Sequence, residues 1–489
     1  MTRILICFLV FFLNINSGFS QEFGNFPKIE KDKLLRDLEI LYQSLDKYHS
    51  GMYWYTSKDS VYLAFQKAKT HINRDLNVLE FHKLIAPLVA LSREDHTNIS
   101  LSKEVKNLMN KEITFLPLRV VFLGEKMFCL KNGSTQNIPI DGLEIELINE
   151  KNPKELVTEL GSLFASDGYI KTVKFNDLNG FSFSKYLYYY YGLTDNYAIK
   201  FKNQPEIITL KSLKIDEINE NFKQRYTDKN SISEREDLEL VLIKDTTAYL
   251  GIHSFANSII KKNKINKNLK SFLKQSFAII KKNKITTLII DVSNNGGGNE
   301  GNEGLLFSYL GNNYQKYTKV RAKTQKVILD NGVDKPIKIK TFGFFERVFM
   351  NKKMKDGSYE RRKNIGFGLM AYKKEPKNKF KGNIFVIISP VTYSGASEFS
   401  NMMYSNSLAT FVGQETGGGY YGNTSGYSKN LVLPHSKITV EIPALQFVMN
   451  VKPLLPFGSG VIPNYEVIKT FDQHVKGENT SLNYILKLK

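Results

Sequence analysis

The sequence predicts an α/β protein with a helical N-terminal region and a β-rich middle segment. Two observations support this prediction. After residue 246, strands that are apolar along their whole length, such as "TTLIIDVS" and "GNIFVIIS", alternate with amphipathic helices. Strands of this kind are typical of a sheet that is covered on both faces. Before residue 115, apolar residues recur at helical spacing instead.

The patterns change several times along the chain. Three amphipathic runs, beginning with "LLRDLEILYQSLDKYH", predict N-terminal helices. "FLPLRVVFLG", "LEIELI" and "YAIKF" predict strands in the middle segment, which one helix, "NPKELVTELGSLFA", interrupts. We expect a signal segment at 1–20, a helical region at 21–114, a β-rich segment at 115–203, a connector at 204–243, an α/β core at 244–475 and a tail at 476–489.

The composition is that of a soluble globular chain. It has 489 residues, of which 42% are hydrophobic and 24% charged, so at roughly 100–200 residues per domain several domains are expected. The formal charge is +20, mostly from scattered lysines. An acidic partner or an anionic surface would suit such a charge, but a lysine-rich solvated surface is the favoured interpretation. No basic motif interleaved with aromatic residues indicates nucleic-acid binding.

The first twenty residues have the layout of a cleavable secretory signal. Arg3 precedes a short apolar run, and small residues lead to a cleavage site near Ser20–Gln21. We therefore expect a secreted or periplasmic protein with no integral membrane segment after cleavage; the alternative is an uncleaved anchor. Only Cys129 remains after cleavage, which excludes an internal disulfide. The oligomeric state is left open.

Glycines follow a predicted buried strand in "LIIDVSNNGGGNEG", where the strand delivers Asp291 and then Gly296, Gly297 and Gly298. Successive glycines let another group approach the backbone closely, and free N–H groups there can stabilise an anion. A phosphate-binding loop is the rival interpretation, but no Walker lysine follows. A simple glycine-rich turn also stays open.

Four serines lie in the stretch "ISPVTYSGASEFS". A strand, a sharp turn with serine at its tip and a helix together expose a nucleophile above a sheet. Ser394 lies at the turn, and Gly395 follows it. Ser389 ends the strand, while Ser397 and Ser400 fall on the helix. Ser394 is therefore the candidate nucleophile, and its alternative role is that of a helix N-cap.

His96 is the candidate general base. It lies in "REDHTNIS", at the break between a predicted helix and a strand, whereas His49, His71 and His82 fall within helical patterns. A neutral imidazole is the usual base for a serine hydroxyl near neutral pH.

Together these motifs resemble the tail-specific, or C-terminal-processing, serine protease family. The resemblance is to its histidine-using branch, which includes tricorn protease and the interphotoreceptor retinoid-binding protein repeats. It covers most of the mature chain through "LVALSREDHTNISL", "DGLEIELINEKNPKELV", "AYLGIHSF", "LIIDVSNNGGG", "FVIISPVTYSGASEF", "FVGQETGG" and "GSGVIPNYEV". It implies a crotonase-like (ClpP/crotonase) catalytic core with a PDZ-like middle segment. It also implies that Ser394 is the nucleophile, that His96 is its base, and that the backbone N–H groups of Gly297 and Gly395 bind the oxyanion.

The sequence departs from the family at the position of the orienting acid. Phe457 lies near the place of the branch's glutamate, and Asn464 replaces the usual aspartate. Glu415 is a substitute on chemical grounds, while Asp95 adjoins His96 but points away from it on an extended segment. The segment "ETGGGYYGNTSG" has no lysine, which argues against a Ser–Lys dyad.

The expected function is that of a serine endopeptidase acting on unstructured peptides or protein tails. Neither a metal nor an organic cofactor is implied. The alternative is a binding protein on the same fold that holds a peptide or an apolar ligand without turnover, as the missing acid would permit.

Overall fold

Helices dominate the N-terminal region, as the apolar spacing predicted. The computed structural model describes residues 22–226, 236–244, 246–312, 314–329, 337–363, 369–370 and 379–488, so the predicted signal segment lies outside the described residues. The helices here are α1 (Lys31–Tyr48), α2 (Lys58–His71), α3 (Val78–Ala90) and α4 (Lys103–Glu112). The short strands are β1 (Lys28–Ile29), β2 (Leu76–Asn77) and β3 (Asn98–Ser100).

Helix α1 packs through the apolar stripe that its sequence predicts. Leu34, Leu38, Leu41 and Leu45 are buried in one core with residues from α2 and α3. Each such leucine contributes on the order of 1.5–3 kcal/mol by leaving water. The same core includes Tyr188, Ile218, Leu431 and Val440, so the N-terminal region shares its hydrophobic core with later parts of the chain.

The middle segment is a five-stranded antiparallel sheet with helices packed on it. Its strands pair in sequence order, from β5 to β9. The strands are β4 (Thr114–Phe115), β5 (Leu118–Leu123), β6 (Lys126–Asn132), β7 (Glu144–Ile148), β8 (Asn196–Phe201), β9 (Ile207–Lys211) and β10 (Leu213–Lys214). The helices are α5 (Pro153–Leu160), a 3₁₀ turn (Gly161–Leu163), α6 (Thr172–Asp177), α7 (Ser182–Tyr191) and α8 (Ile215–Arg225).

The prediction of one helix between residues 115 and 203 is wrong, because α6 and α7 are also helical. The sequence of α7, "SFSKYLYYYY", is rich in tyrosine, which favours strands. Phe183, Leu187 and Tyr191 nevertheless recur every four residues, and all three are buried. Burial of this helical stripe outweighs the local preference of the tyrosines.

The α/β core contains a six-stranded sheet of order β11-β12-β13-β19-β20-β25. Strands β12, β13, β19, β20 and β25 run parallel, and β11 lies antiparallel at the edge. The strands are β11 (Leu238–Lys244), β12 (Thr247–Ile252), β13 (Thr287–Asp291), β19 (Asn383–Ile388), β20 (Thr410–Gly413) and β25 (Tyr465–Glu466). The accompanying helices are α9 (Asn257–Ile260), α10 (Leu269–Lys282), α11 (Asn302–Ser308) and α12 (Gly395–Ser405).

The central strands are buried on both faces, as their continuous apolar sequences predicted. All residues of β12 and β13 are buried. Leu288 and Ile290 of β13 face a large core with α10, α11 and α12, while Ile289 faces a smaller one. Two expected segments contribute to this sheet: the connector supplies β11, and the tail supplies Ile485, which packs on the second face.

A second five-stranded sheet, of order β17-β18-β14-β24-β21, joins the core. The remaining strands are β14 (Tyr317–Ala322), β15 (Lys326–Leu329), β16 (Ile337–Lys340), β17 (Asn351–Lys353), β18 (Tyr359–Arg361), β21 (Gly422–Ser425), β22 (Lys429–Val432), β23 (Thr439–Ile442) and β24 (Leu445–Met449). A π-helix spans Glu346–Met350, and the chain ends with α13 (Phe471–Val475) and α14 (Thr480–Lys487). Among the described residues, no helix is both long and apolar enough to span a bilayer.

The N-terminal region is tied to the core through a strand that begins two residues after His96. Strand β3 pairs antiparallel with β23, with Ile99 opposite Val440. This pairing brings the His96 segment to the part of the core that follows α12.

Candidate active site

Ser394 lies at the tip of the turn between β19 and α12. Its backbone angles are φ 48° and ψ −125°, in a region that residues other than glycine rarely adopt. It occupies the N-cap position of α12, yet its side chain makes no capping hydrogen bond. The interpretation of Ser394 as a helix cap therefore loses its physical basis, and the strained turn is of the kind found at functional sites.

The other three serines of the turn are occupied by hydrogen bonds. The Ser389 hydroxyl donates to a carbonyl of the glycine loop at 2.5 Å. The Ser397 hydroxyl donates to the Ser394 carbonyl at 2.7 Å, and the Ser400 hydroxyl donates to a carbonyl of its own helix at 2.9 Å. Both of these residues lie within α12, as predicted. Of the four serines, Ser394 alone keeps a hydroxyl without a hydrogen bond to the described residues.

The glycine loop after β13 is held in place by Asn295 and packs directly on Ser394. The Asn295 amide donates to the Ile252 carbonyl at 2.9 Å, and its backbone carbonyl accepts from the Tyr393 N–H at 3.1 Å. Gly297 has φ 96°, and a β-carbon there would lie 2.7 Å from the Ser394 Cβ. The sequence predicted that another group would approach this loop closely, and that group is Ser394.

The two predicted oxyanion donors differ in their hydrogen bonding. The Gly395 N–H begins α12 and donates to no described residue, as expected for the first turn of a helix. The Gly297 N–H instead donates to the Asn295 side chain at 2.8 Å. In the same loop, the Gly298 N–H makes no hydrogen bond with the described part of the chain. Gly395 therefore offers a free donor, and the glycine loop has N–H groups at Gly296 and Gly298 that make no hydrogen bond with the described residues.

The His96 loop is fastened to the core by two buried carboxylates. Glu94 accepts a hydrogen bond from the Thr424 N–H at 2.7 Å. Asp167, from the middle segment, accepts from the Asp95 N–H at 2.8 Å and from the Gly419 N–H at 3.1 Å. These contacts bring together parts of the chain that are far apart in sequence.

The glycine segment whose Gly419 N–H donates to Asp167 also contacts the turn that carries Ser394. The Gly418 N–H donates to the Thr392 carbonyl at 3.2 Å. A β-carbon at Gly418 would lie 3.3 Å from the Ser394 nitrogen. The His96 loop is thus connected to the Ser394 turn by hydrogen bonds that involve Asp167 and the consecutive residues Gly418 and Gly419.

His96 itself is half-buried, and no hydrogen bond joins its ring to the Ser394 hydroxyl. Its Nδ1 atom is buried and has no hydrogen-bond partner among the described residues. Glu415, the predicted substitute for the orienting acid, accepts from the Gly460 N–H at 2.9 Å instead of from His96. The structure therefore brings the His96 loop to the nucleophile turn without showing what orients the ring.

The acids around the His96 loop have raised pKa values, and burial raises the pKa of Glu94 well above its usual range. Burial, with a further contribution from Asp167, raises the pKa of Asp95 to about 7, although His96 acts in the opposite direction. Burial raises the pKa of Asp167 to about 6, although its two backbone hydrogen bonds favour the charged form. The Tyr393 phenol, next to Ser394, is also buried without a partner, and burial raises its pKa. Perturbed groups of this kind cluster at functional sites.

Replacing Asp95 with asparagine should stabilise the fold at pH 8 but not near pH 4. The unfolded carboxyl has a pKa of 3.8 and the folded one a pKa of about 7. Between these values the folded state holds the proton more strongly, so the wild type loses stability as pH rises, while asparagine stays neutral. We expect a gain of roughly 1–2 kcal/mol at pH 8, discounted because the side chain is partly exposed.

Thermal unfolding of both proteins at pH 4 and pH 8 measures this difference. The same substitution at Asp195, an exposed residue of the middle segment, is the control and should change nothing. An equal shift at both pH values for the Asp95 variant would contradict the prediction.

Comparison with known proteins shows which family the α/β core resembles. The model of Peptidase family S41 matches residues 246–466, which include the glycine loop and the Ser394 turn. A search of the curated proteins found no match. The structure of mature CPAF complexed with lactacystin is 14% identical, with a TM-score of 0.60, and the alignment covers 94% of this chain and 98% of that chain.

Two further solved structures align over most of the chain. Mature CPAF gives a TM-score of 0.57 at 14% identity, covering 91% of this chain and 94% of that one. A putative peptidase from Parabacteroides merdae gives 0.46 at 14% identity, covering 94% and 96%. The CPAF structures show that this chain shares their fold over nearly its whole length. The chain therefore carries a domain of peptidase family S41 and is a serine-type peptidase.

Proposed function

We propose that this chain is an exported serine endopeptidase that cleaves unstructured peptides or protein tails, with Ser394 as nucleophile and His96 as general base. The observation that supports this proposal most strongly is the Ser394 turn. Its hydroxyl is free, its backbone is strained, and the glycine loop packs on it at a distance that only glycine allows.

In the proposed mechanism, the Ser394 hydroxyl attacks the scissile carbonyl and His96 takes the hydroxyl proton. His96 then returns the proton to the leaving amine. The Gly395 N–H, with a donor from the glycine loop, stabilises the oxyanion of the tetrahedral intermediate. Because no acid in the described part of the chain hydrogen-bonds to the His96 Nδ1, we propose that the ring is ordered when substrate binds, since catalytic hydrogen bonds often tighten only in the complex.

A cavity lies beside the carboxyl ends of the central strands, and neither Ser394 nor His96 lines it. It measures 270 Å³ and is lined by Asn294, Ser389 and Gln414 from the core and by Asn176 and Asn179 from the middle segment. Ligands of α/β sheets bind at this end of the strands. We propose that an extended peptide passes between the middle segment and the core.

The finer assignments of fold and location belong to the same proposal. We infer that the core is crotonase-like, that residues 115–203 form a PDZ-like segment, and that the expected domain limits apply. The apolar segment at the N-terminus supports export to the periplasm or outside the cell, with cleavage near Ser20–Gln21.

A binding protein without turnover is the second candidate. The observation that favours it is the absence of a hydrogen bond between His96 and Ser394, together with the unpartnered Nδ1. A histidine that is not oriented is a weaker base, because the wrong tautomer can dominate.

A fluorophosphonate probe distinguishes the two candidates, because it labels only an activated serine. We expect the mature wild-type protein to be labelled and Ser394→Ala to lose the label completely. Ser400→Ala, which removes a hydroxyl from the same helix, should keep it. A wild-type protein that resists the probe would favour the binding protein, and label retained in Ser394→Ala would refute the assigned nucleophile.

A further inference from the structure

Behind the nucleophile turn lies a buried ion cluster around Lys316. The Lys316 ammonium lies 2.6 Å from a Glu303 carboxylate oxygen and 2.9 Å from one of Glu398, and it also contacts Glu300. The side chains of Lys316, Glu303 and Glu398 are each at most 7% exposed. The carboxylate oxygens of the three glutamates lie within 4.8 Å of one another, close enough to share a metal ion, and the ammonium occupies the space between them.

The cluster joins the two helices that form the site. Glu303 lies on α11, directly after the glycine loop, and accepts hydrogen bonds from the Gly301 N–H at 2.9 and 3.0 Å. Glu398 lies on α12, and its N–H donates to the Ser394 carbonyl at 2.9 Å. Lys316 precedes β14, so one side chain links the glycine loop, the nucleophile helix and the second sheet.

The positive charge of Lys316 matters for the proposed reaction because of the carboxylates around it. A β-carbon at Gly395 would lie 3.6 Å from a Glu303 carboxylate oxygen, so a buried carboxylate lies next to the free N–H of the turn. Burial alone would lower the pKa of Lys316, but Glu398, Tyr317 and Glu303 together raise it, so the ammonium stays charged. Without that charge, buried carboxylates would face the site where the oxyanion develops, at short distance and low dielectric.

We propose that Lys316 is a positioning residue for the proposed peptidase reaction: it clamps α11 to α12 and offsets part of the negative charge of Glu303 and Glu398 behind the oxyanion site. This inference rests on the proposed function. In this inference, Lys316 speeds the acylation of Ser394 through the glutamates and does not touch the substrate.

The test measures the maximal inactivation rate and the half-saturating concentration of the fluorophosphonate probe. Lys316→Gln keeps hydrogen-bond donors near the glutamates but removes the charge, and we expect its maximal rate to fall at least tenfold while the half-saturating concentration changes less than twofold. Glu303→Gln/Lys316→Gln removes one carboxylate as well, and we expect it to recover at least threefold of the loss. A merely structural role would instead lower the final extent of labelling by unfolding part of the protein, and would leave the maximal rate of the folded fraction unchanged.

Lys319→Gln is the matched control, because Lys319 lies on β14 and pairs with Glu360 at the surface. It should react at the wild-type rate. Wild-type rates in Lys316→Gln, or a double variant no faster than Lys316→Gln, would overturn the inference while leaving the proposed function intact. A wild-type protein that does not react would overturn the proposed function instead.

Discussion

Replacing His96 with alanine should slow acylation of Ser394 by about 10²- to 10⁴-fold, the range that a positioned general base contributes. The serine hydroxyl is a poor nucleophile unless a base takes its proton, and the His96 loop is the histidine-bearing segment that Asp167 and Glu94 dock beside the turn. Rates of reaction with a fluorophosphonate and of cleavage of an unstructured peptide measure the effect.

The His96 result is informative only if the fold and substrate binding survive. We expect the variant to unfold at nearly the wild-type temperature, because the ring is half-buried and its Nδ1 has no partner to lose. His71→Ala, an exposed change at the end of α2, should leave the rate unchanged. Equal rates for His96→Ala and the wild type would remove His96 from the mechanism.

Replacing Gly297 with alanine should abolish acylation and destabilise the fold. The new β-carbon would lie 2.7 Å from the Ser394 Cβ and 3.0 Å from the Gly395 nitrogen, so the serine and its neighbouring N–H must both move. The left-handed φ of 96° adds a backbone cost of roughly 1–2 kcal/mol. We expect at least a hundredfold loss of labelling rate and a fall in stability of roughly 2–3 kcal/mol.

Gly296→Ala is a close control for this experiment. A β-carbon at Gly296 would meet nothing within 4 Å, and its φ is not left-handed. The variant should label and unfold like the wild type. If both alanine variants behave alike, the tight contact between the glycine loop and Ser394 does not govern the reaction.

The sequence predicted the parts of the fold in which local pattern and tertiary packing agree. Strands such as β13 are apolar throughout and are buried on both faces, and α1 buries the leucines of its stripe. Helix α7 was missed because a run of tyrosines favours a strand locally, and burial of Phe183 and Tyr191 decides otherwise. Strand β11 was assigned to a connector because its place at the sheet edge depends on pairing with β12, which no local pattern reveals.

The candidate site was predictable where a residue type has a distinct local signal. Ser394 at a strand–turn–helix junction and Gly297 in a glycine run carry such signals. Asp167 and Lys316 do not, because an aspartate in "FASDGY" or a lysine in "NNYQKYTKV" resembles any surface residue. Their importance comes from burial and from partners hundreds of residues or several elements away, such as the Gly419 N–H and Glu398.

The pairing of β3 with β23 has a consequence for the timing of synthesis. Ile99 must meet Val440 before the His96 loop can dock, and Ser394 follows His96 by about 300 residues. At roughly 5–20 residues per second, Ser394 leaves the ribosome on the order of 15–60 seconds after His96. In the proposed mechanism, a nascent chain therefore carries its base long before its nucleophile. Because β3 docks on β23, that mechanism needs the chain to be made at least as far as Val440.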